Sequence, residues 1–183
     1  SLPWPLTGAQ HRSLEEIAAD MAETHRMLRL LQGDVGSGKT IVAMLAMLNA
    51  VEEGRQAVLM APTEILARQH YQTLKPMAEA AGVRMEVLTG RGKGKQREAL
   101  LDDLDRGDID ILVGTHAVFQ DAVAFHDLAF AVIDEQHRFG VHQRLALSAK
   151  GTEAAPDLLV MTATPIPRTL TLTAYGDMEV SRL

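Results

Sequence analysis

The 183 residues, 46% of them hydrophobic, are enough for one domain that buries roughly 70% of its unfolded surface. Eighteen Lys and Arg residues against 24 Asp and Glu residues give a net charge of -6, so the chain as a whole does not attract nucleic acid, and any such contact must be local. Absence of cysteine excludes disulfides and Cys-type zinc sites, and no apolar run reaches the roughly 18 residues of a membrane helix, so we expect a cytoplasmic domain.

Short apolar segments predict the strands of a sheet. In chain order they cover residues 28–32, 57–62, 85–90, 109–115, 128–135 and 157–164. Apolar residues at helical spacing predict helices between them, from Leu14 to Met21, from Ile41 to Val51 and from Ala67 to Ala78. Near-continuous apolar strands joined by crossover helices indicate a three-layer α/β fold with a mainly parallel sheet, whose ligands lie at the carboxyl ends of the strands.

A glycine-rich loop follows the first predicted strand. Its sequence, GDVGSGKT at residues 33–40, fits the pattern G-x-x-x-x-G-K-[ST], and a helix is predicted directly after it. Such a loop points its N–H groups at phosphates, and the helix start adds a positive dipole end. The alternative is an ordinary glycine turn. We expect ATP and Mg²⁺ as cofactors, bound by Gly33, Gly36, Ser37, Gly38, Lys39 and Thr40, with the Thr40 hydroxyl on the metal.

Two carboxylates end the fifth predicted strand. Asp134 is expected to hold Mg²⁺ through water, and Glu135 to orient an attacking water, which makes the reaction a hydrolysis. The alternative is that both carboxylates are exposed to solvent at the end of the strand and have no catalytic role. The predicted catalytic residues are therefore Lys39, Asp134 and Glu135.

Five segments carry a resemblance to a known family. They are GDVGSGKT (33–40), APTEILARQHY (61–71), VGTHA (113–117), DEQH (134–137) and TATPIPRTL (162–170), in the order of the first motor domain of superfamily 2 helicases. Nearly the whole chain resembles the RecG family of bacterial helicases. That resemblance implies a RecA-like P-loop domain that hydrolyses ATP to remodel branched DNA, at stalled forks and Holliday junctions, in repair and recombination. The Mfd family of transcription-repair coupling translocases shares GDVG, RFGV and TPIPRTL and stays as an alternative.

The resemblance also implies roles for further residues. Coupling of hydrolysis to movement is implied for Gln136, His137, Thr162 and Thr164, although Thr164 also suits a helix N-cap and His137 a structural hydrogen bond. Gln10 is implied to bind adenine, while Thr7 and Gln10 also fit a capping box. Contacts to the DNA backbone are implied for Pro62, Thr63, Thr89, Gly90, Arg91, Gly114, Thr115 and His116. Gly92 and Gly94 are expected to keep the basic segment 91–97 mobile, and a solvated loop is the alternative to DNA contact there.

The same resemblance implies a longer protein. A wedge domain, a second RecA-like domain and the arginine finger are expected outside residues 1–183. The chain is therefore expected to be a fragment of a longer protein and to hydrolyse ATP slowly when alone. A monomer is also expected. No membrane partner is expected. Two other classes stay open, a phosphotransferase with a small-molecule acceptor and a nucleotide-binding module without turnover.

Overall fold

The computed structural model describes residues 5–23, 27–34, 36, 38–89, 94–120, 122–134, 156–163 and 179–183. Seven of the described segments are strands, namely β1 (Leu28–Gln32), β2 (Gln56–Met60), β3 (Met85–Leu88), β4 (Ile111–Gly114), β5 (Leu128–Asp134), β6 (Asp157–Thr162) and β7 (Glu179–Arg182). They form one sheet in the order β3-β4-β2-β5-β6-β1-β7, and every neighbouring pair is parallel. The predicted fold class is confirmed.

Helices cover both faces of the sheet. They are α1 (Gly8–Met21), α2 (Lys39–Glu52), α3 (Glu64–Ala81) and α4 (Lys95–Arg106), with a short 3-10 helix at His116–Phe119. Side chains of α1, α2 and α3 share one buried apolar cluster with alternate strand residues, whereas α4 and the 3-10 helix share a second cluster with the other strand residues. Burial on both faces explains why the strands are almost continuously apolar. None of the described helices is long and apolar enough to cross a bilayer.

The six predicted strands are present, and most end one or two residues earlier than the apolar runs that predicted them. The interpretation of 91–97 as a mobile loop is wrong for Lys95 and Arg97, which lie in the first turn of α4. Arg97 donates from its guanidinium to the carbonyl of Thr89 at 2.9 Å and to Oε1 of Gln120 at 3.2 Å. These bonds fix the arginine against the loops that follow β3 and β4, so it is not a freely solvated charge.

The last strand, β7, was not predicted. It pairs with β1 at the border of the described sheet, where the side chain of the buried residue Arg29 donates to Ser181 Oγ at 2.8 Å and to Asp20 Oδ2 at 3.1 Å. Arg12 of α1 donates to the carbonyl of Arg182 at 2.7 Å. Two arginines therefore tie the strand to the sheet and to α1.

Candidate active site

The glycine-rich loop connects β1 to α2 at the carboxyl edge of the sheet. Gly36 and Gly38 both have φ of 83°, a left-handed conformation that glycine adopts without a steric cost. Lys39 begins α2, and its Nζ donates to the carbonyls of Gly33 at 2.6 Å and Asp34 at 3.2 Å. The ammonium group therefore lies over the turn of the loop, beside the start of a helix. This arrangement has the backbone shape and positive charge that bind a phosphate.

Gln10 lies against this loop from α1. Its Oε1 accepts from Thr7 N at 2.8 Å while Thr7 Oγ1 accepts from Gln10 N at 3.1 Å, so the capping box is confirmed. A Cβ atom at Gly38 would collide with Nε2 of Gln10. The same buried amide therefore caps α1 and forms a wall of the phosphate loop. Its contact with adenine stays a prediction.

Asp134 ends β5 at the same edge and is 7% exposed. One strand, β6, lies between β5 and β1, which places the acidic strand end about 10 Å from the phosphate-loop strand. The described residues contain no group of three or more His, Cys, Asp or Glu side chains arranged for a metal. Proteins commonly hold Mg²⁺ through one or two carboxylates together with substrate phosphates, and Asp134 is a carboxylate at this edge.

Thr162, a predicted coupling residue, ends the strand between those two elements. It pairs with Gln32 of β1, while its neighbour Met161 pairs with Asp134 of β5. Its carbonyl accepts from Gly33 N at 3.0 Å, and the residue is 5% exposed. The structure thus places Thr162 in direct contact with the phosphate loop and one residue along from the acidic strand end.

Asp134 contacts His70, a histidine for which the sequence predicted no role. Nε2 of His70, on α3, lies 2.6 Å from Oδ2 of Asp134, and the two side chains are 15% and 11% exposed. His70 belongs to the segment APTEILARQHY, in which the resemblance implies a role only for Pro62 and Thr63. The only sequence signal was the spacing of seven between Thr63 and His70, which places both on one face of a helix.

The described residues among the predicted DNA contacts lie at the other half of this edge. Described members of that set follow β2, β3 and β4, which are adjacent strands. Pro62, Thr63 and His116 are exposed, whereas Thr89 and Thr115 are buried. Two of these threonines cap helices with their hydroxyl groups. Thr63 Oγ1 accepts from Leu66 N of α3 at 3.2 Å, and Thr115 Oγ1 accepts from Ala117 N of the 3-10 helix at 3.4 Å.

Gly114, the remaining described member, is a close-approach position. A Cβ atom there would lie 2.5 Å from the carbonyl oxygen of Leu88 and 2.8 Å from Cγ1 of Val118. Its carbonyl accepts from Ala61 N at 2.8 Å. Packing alone is a sufficient reason for glycine here. Its role in DNA binding stays a prediction.

Several predicted residues lie outside the described part of the chain. They are Ser37, Gly90, Arg91, Glu135, Gln136, His137 and Thr164.

A parallel sheet with a glycine loop, a lysine at the following helix start and an aspartate two strands away defines a RecA-like P-loop NTPase domain. The family model for DEAD/DEAH box helicases matches residues 7–173, and the chain belongs to that family. The motif order was sufficient to predict this membership.

Curated relatives agree with the resemblance to the RecG family. The chain is 57% identical over 181 residues to the ATP-dependent DNA helicase RecG of Bacillus subtilis, covering 99% of this chain and 26% of the relative. With RecG of Haemophilus influenzae the identity is 51% over 183 residues, with the same coverage of 99% and 26%. The chain thus spans about a quarter of the length of these relatives, and the Mfd alternative is not favoured.

Solved structures give the same result. A structure of RecG bound to a three-way DNA junction matches with a TM-score of 0.86 and 42% identity, over 99% of this chain and 24% of the other. A helicase called MrfA, bound to DNA, matches with a TM-score of 0.72 at 18% identity, over 97% of this chain and 27% of the other. The second likeness concerns the fold alone.

Proposed function

We propose that the chain is the first motor domain of an ATP-dependent DNA helicase that remodels branched DNA. The observation that carries the proposal is the division of one sheet edge into two halves. The phosphate loop and Asp134 lie at the ends of β1 and β5, while the exposed groups Pro62, Thr63 and His116 follow β2 and β4. In this proposal one sheet edge carries a nucleotide site and a nucleic-acid surface side by side.

In the nucleotide half, Lys39 leaves the two loop carbonyls to bind the β- and γ-phosphates of ATP, which are stronger acceptors for its ammonium group. Thr40 and Asp134 would hold Mg²⁺, which neutralises phosphate charge when bound. Glu135 orients the attacking water. Gln10, already against the loop, binds the adenine edge with its amide.

In the other half, DNA is held by its backbone. Pro62, Thr63 and His116 make the exposed contacts, and Gly90 and Arg91, which follow Thr89 in the sequence, add further contacts to the DNA backbone. Thr115 and Gly114 shape the loop that presents His116. Contacts of this kind are insensitive to base sequence, as a translocating motor requires.

Coupling between the halves runs through the end of β6. Thr162 bonds to the phosphate loop, and Gln136, His137 and Thr164 complete the link between nucleotide state and DNA position. A second RecA-like domain and a wedge domain of the same longer, monomeric protein close on this one, and the second domain supplies the arginine finger. The relatives named RecG, and the RecG structure that contains a three-way DNA junction, support branched DNA as the substrate.

Two measurements on this chain test the nucleotide half. Binding of a fluorescent ATP analogue in the presence of Mg²⁺ is expected, and Lys39→Ala should weaken it at least tenfold. Steady-state hydrolysis by the chain alone should stay near the Lys39→Ala blank with or without forked DNA, because the finger contributes about 10³-fold or more. Strong DNA-stimulated turnover by the chain alone would contradict an external finger, and binding that Lys39→Ala leaves unchanged would contradict the site.

A further inference from the structure

We propose that His70 is a positioning residue that orients Asp134 and links it to the DNA-binding end of α3. The proposal rests on the nucleotide and DNA sites proposed above. It adds to them a direct side-chain contact between the two halves of the sheet edge, separate from the route through Thr162.

The contact between His70 and Asp134 is short and well shielded. Nε2 lies 2.6 Å from Oδ2, and the two side chains are 15% and 11% exposed. An ionised carboxylate is only an acceptor, so Nε2 carries the proton and donates it. A hydrogen bond to a charged group in a shielded site is stronger than an exposed one. It therefore fixes the carboxylate plane of Asp134.

Fixing that plane matters for metal binding. A carboxylate has two oxygens with about four lone-pair sites, so a bond at Oδ2 leaves capacity for a further ligand. Residues that hydrogen-bond to a metal-binding side chain commonly change metal affinity 10- to 100-fold when they are removed. His70 has this relation to Asp134, which stands at the end of β5 and is separated from the phosphate-loop strand β1 by β6.

The helix that carries His70, α3, begins at the surface that is proposed to bind DNA. Thr63 is the N-cap of α3, and Pro62 and Thr63 are exposed. His70 is seven residues after Thr63, which is two helical turns, or about 10 Å along the axis and on nearly the same face. A shift of the α3 start on binding DNA is therefore transmitted by a rigid helix to the carboxylate of Asp134.

Three variants separate this role from simple packing. His70→Leu removes the donor and keeps most of the volume, whereas His70→Gln keeps an N–H donor at a similar reach. His126→Leu makes the same chemical change at an exposed histidine that precedes β5, at the opposite edge of the sheet. Thermal unfolding of each variant reports any loss of packing.

The first readout is nucleotide binding by this chain, measured with a fluorescent ADP analogue while Mg²⁺ is titrated. His70→Leu is expected to raise the half-saturating Mg²⁺ concentration about 10-fold or more, and to leave binding in EDTA unchanged because the phosphate loop is intact. His70→Gln should stay within about threefold of the wild type, and His126→Leu should match it.

The second readout is ATP hydrolysis by the longer protein that carries this chain. The fold-stimulation by forked DNA should fall about 10-fold in His70→Leu and be kept in His70→Gln, with little change in the KM for ATP at saturating Mg²⁺.

Two results would overturn the role of His70: a Mg²⁺ dependence and DNA stimulation in His70→Leu that match the wild type, or a His70→Gln variant as defective as His70→Leu. A wild-type chain without Mg²⁺-dependent nucleotide binding would instead overturn the proposed function, and the positioning role with it. The wild-type titration alone thus distinguishes the two failures.

Discussion

Alanine at Gly38 is expected to destabilise the domain by more than alanine at Gly36, although both glycines have φ of 83°. At either position the left-handed conformation costs a side chain about 1–2 kcal/mol. At Gly36 a Cβ atom meets nothing within 4 Å, whereas at Gly38 it collides with Nε2 of Gln10. Moving that amide breaks its 2.8 Å bond from Thr7 N, which adds about 1 kcal/mol.

Urea unfolding of five variants, namely Gly36→Ala, Gly38→Ala, Gln10→Ala and the two double variants with Gln10→Ala, tests this expectation. We expect Gly36→Ala to cost about 1–2 kcal/mol and Gly38→Ala about 1 kcal/mol more. In a Gln10→Ala background the two glycine substitutions should cost the same, because the obstructing amide is gone, and the double-mutant cycle should give a coupling of about 1 kcal/mol. A difference between Gly38→Ala and Gly36→Ala that persists in the Gln10→Ala background would refute the argument.

Three further substitutions are each expected to lower the free energy of unfolding, which urea unfolding measures. Gln56→Leu should lower the free energy of unfolding by about 2–4 kcal/mol, because the amide of this buried residue forms hydrogen bonds with three backbone groups at 2.8–2.9 Å. A decrease of less than about 1 kcal/mol would contradict this expectation. Gly114→Ala should cost about 1–3 kcal/mol through overpacking against Leu88, and an unchanged midpoint would show that the backbone yields easily. Arg29→Ala should cost about 3 kcal/mol, since it leaves the mostly buried carboxylate of Asp20 without this cation; equal stability at pH 7 would argue against a structural ion pair.

The parts of the fold that local sequence determines were predicted well. Five of the six predicted strands are buried along all or nearly all of their length. Helices cover both faces of the sheet, so the residues of these strands are apolar on both faces and form an apolar run in the sequence. The third helix extends further than its apolar spacing indicated and contains Pro76, which local rules treat as a stop. It continues to Gly82, whose φ of 70° ends it in a left-handed cap.

Other parts depend on contacts between distant residues. The strand β7 has the short sequence EVSR, and its place in the sheet depends on Arg12 and Arg29, more than 150 residues away. The phosphate loop and Asp134 were predictable because each has a local pattern. The bond from His70 to Asp134 joins residues 64 apart in sequence, and it arises from the way α3 crosses the sheet, which no local pattern contains.

Steady-state ATP hydrolysis by the proposed longer protein, measured on two DNA substrates, tests the central proposal most directly. One substrate is a three-way junction and the other a linear duplex of the same composition and length, with Lys39→Ala as the blank. We expect the junction to stimulate hydrolysis at least 10-fold over the duplex, and Lys39→Ala to abolish hydrolysis on both, because its ammonium is required at the phosphates. Hydrolysis that is equal on both substrates, or that survives Lys39→Ala, would contradict a motor driven from this phosphate loop by branched DNA.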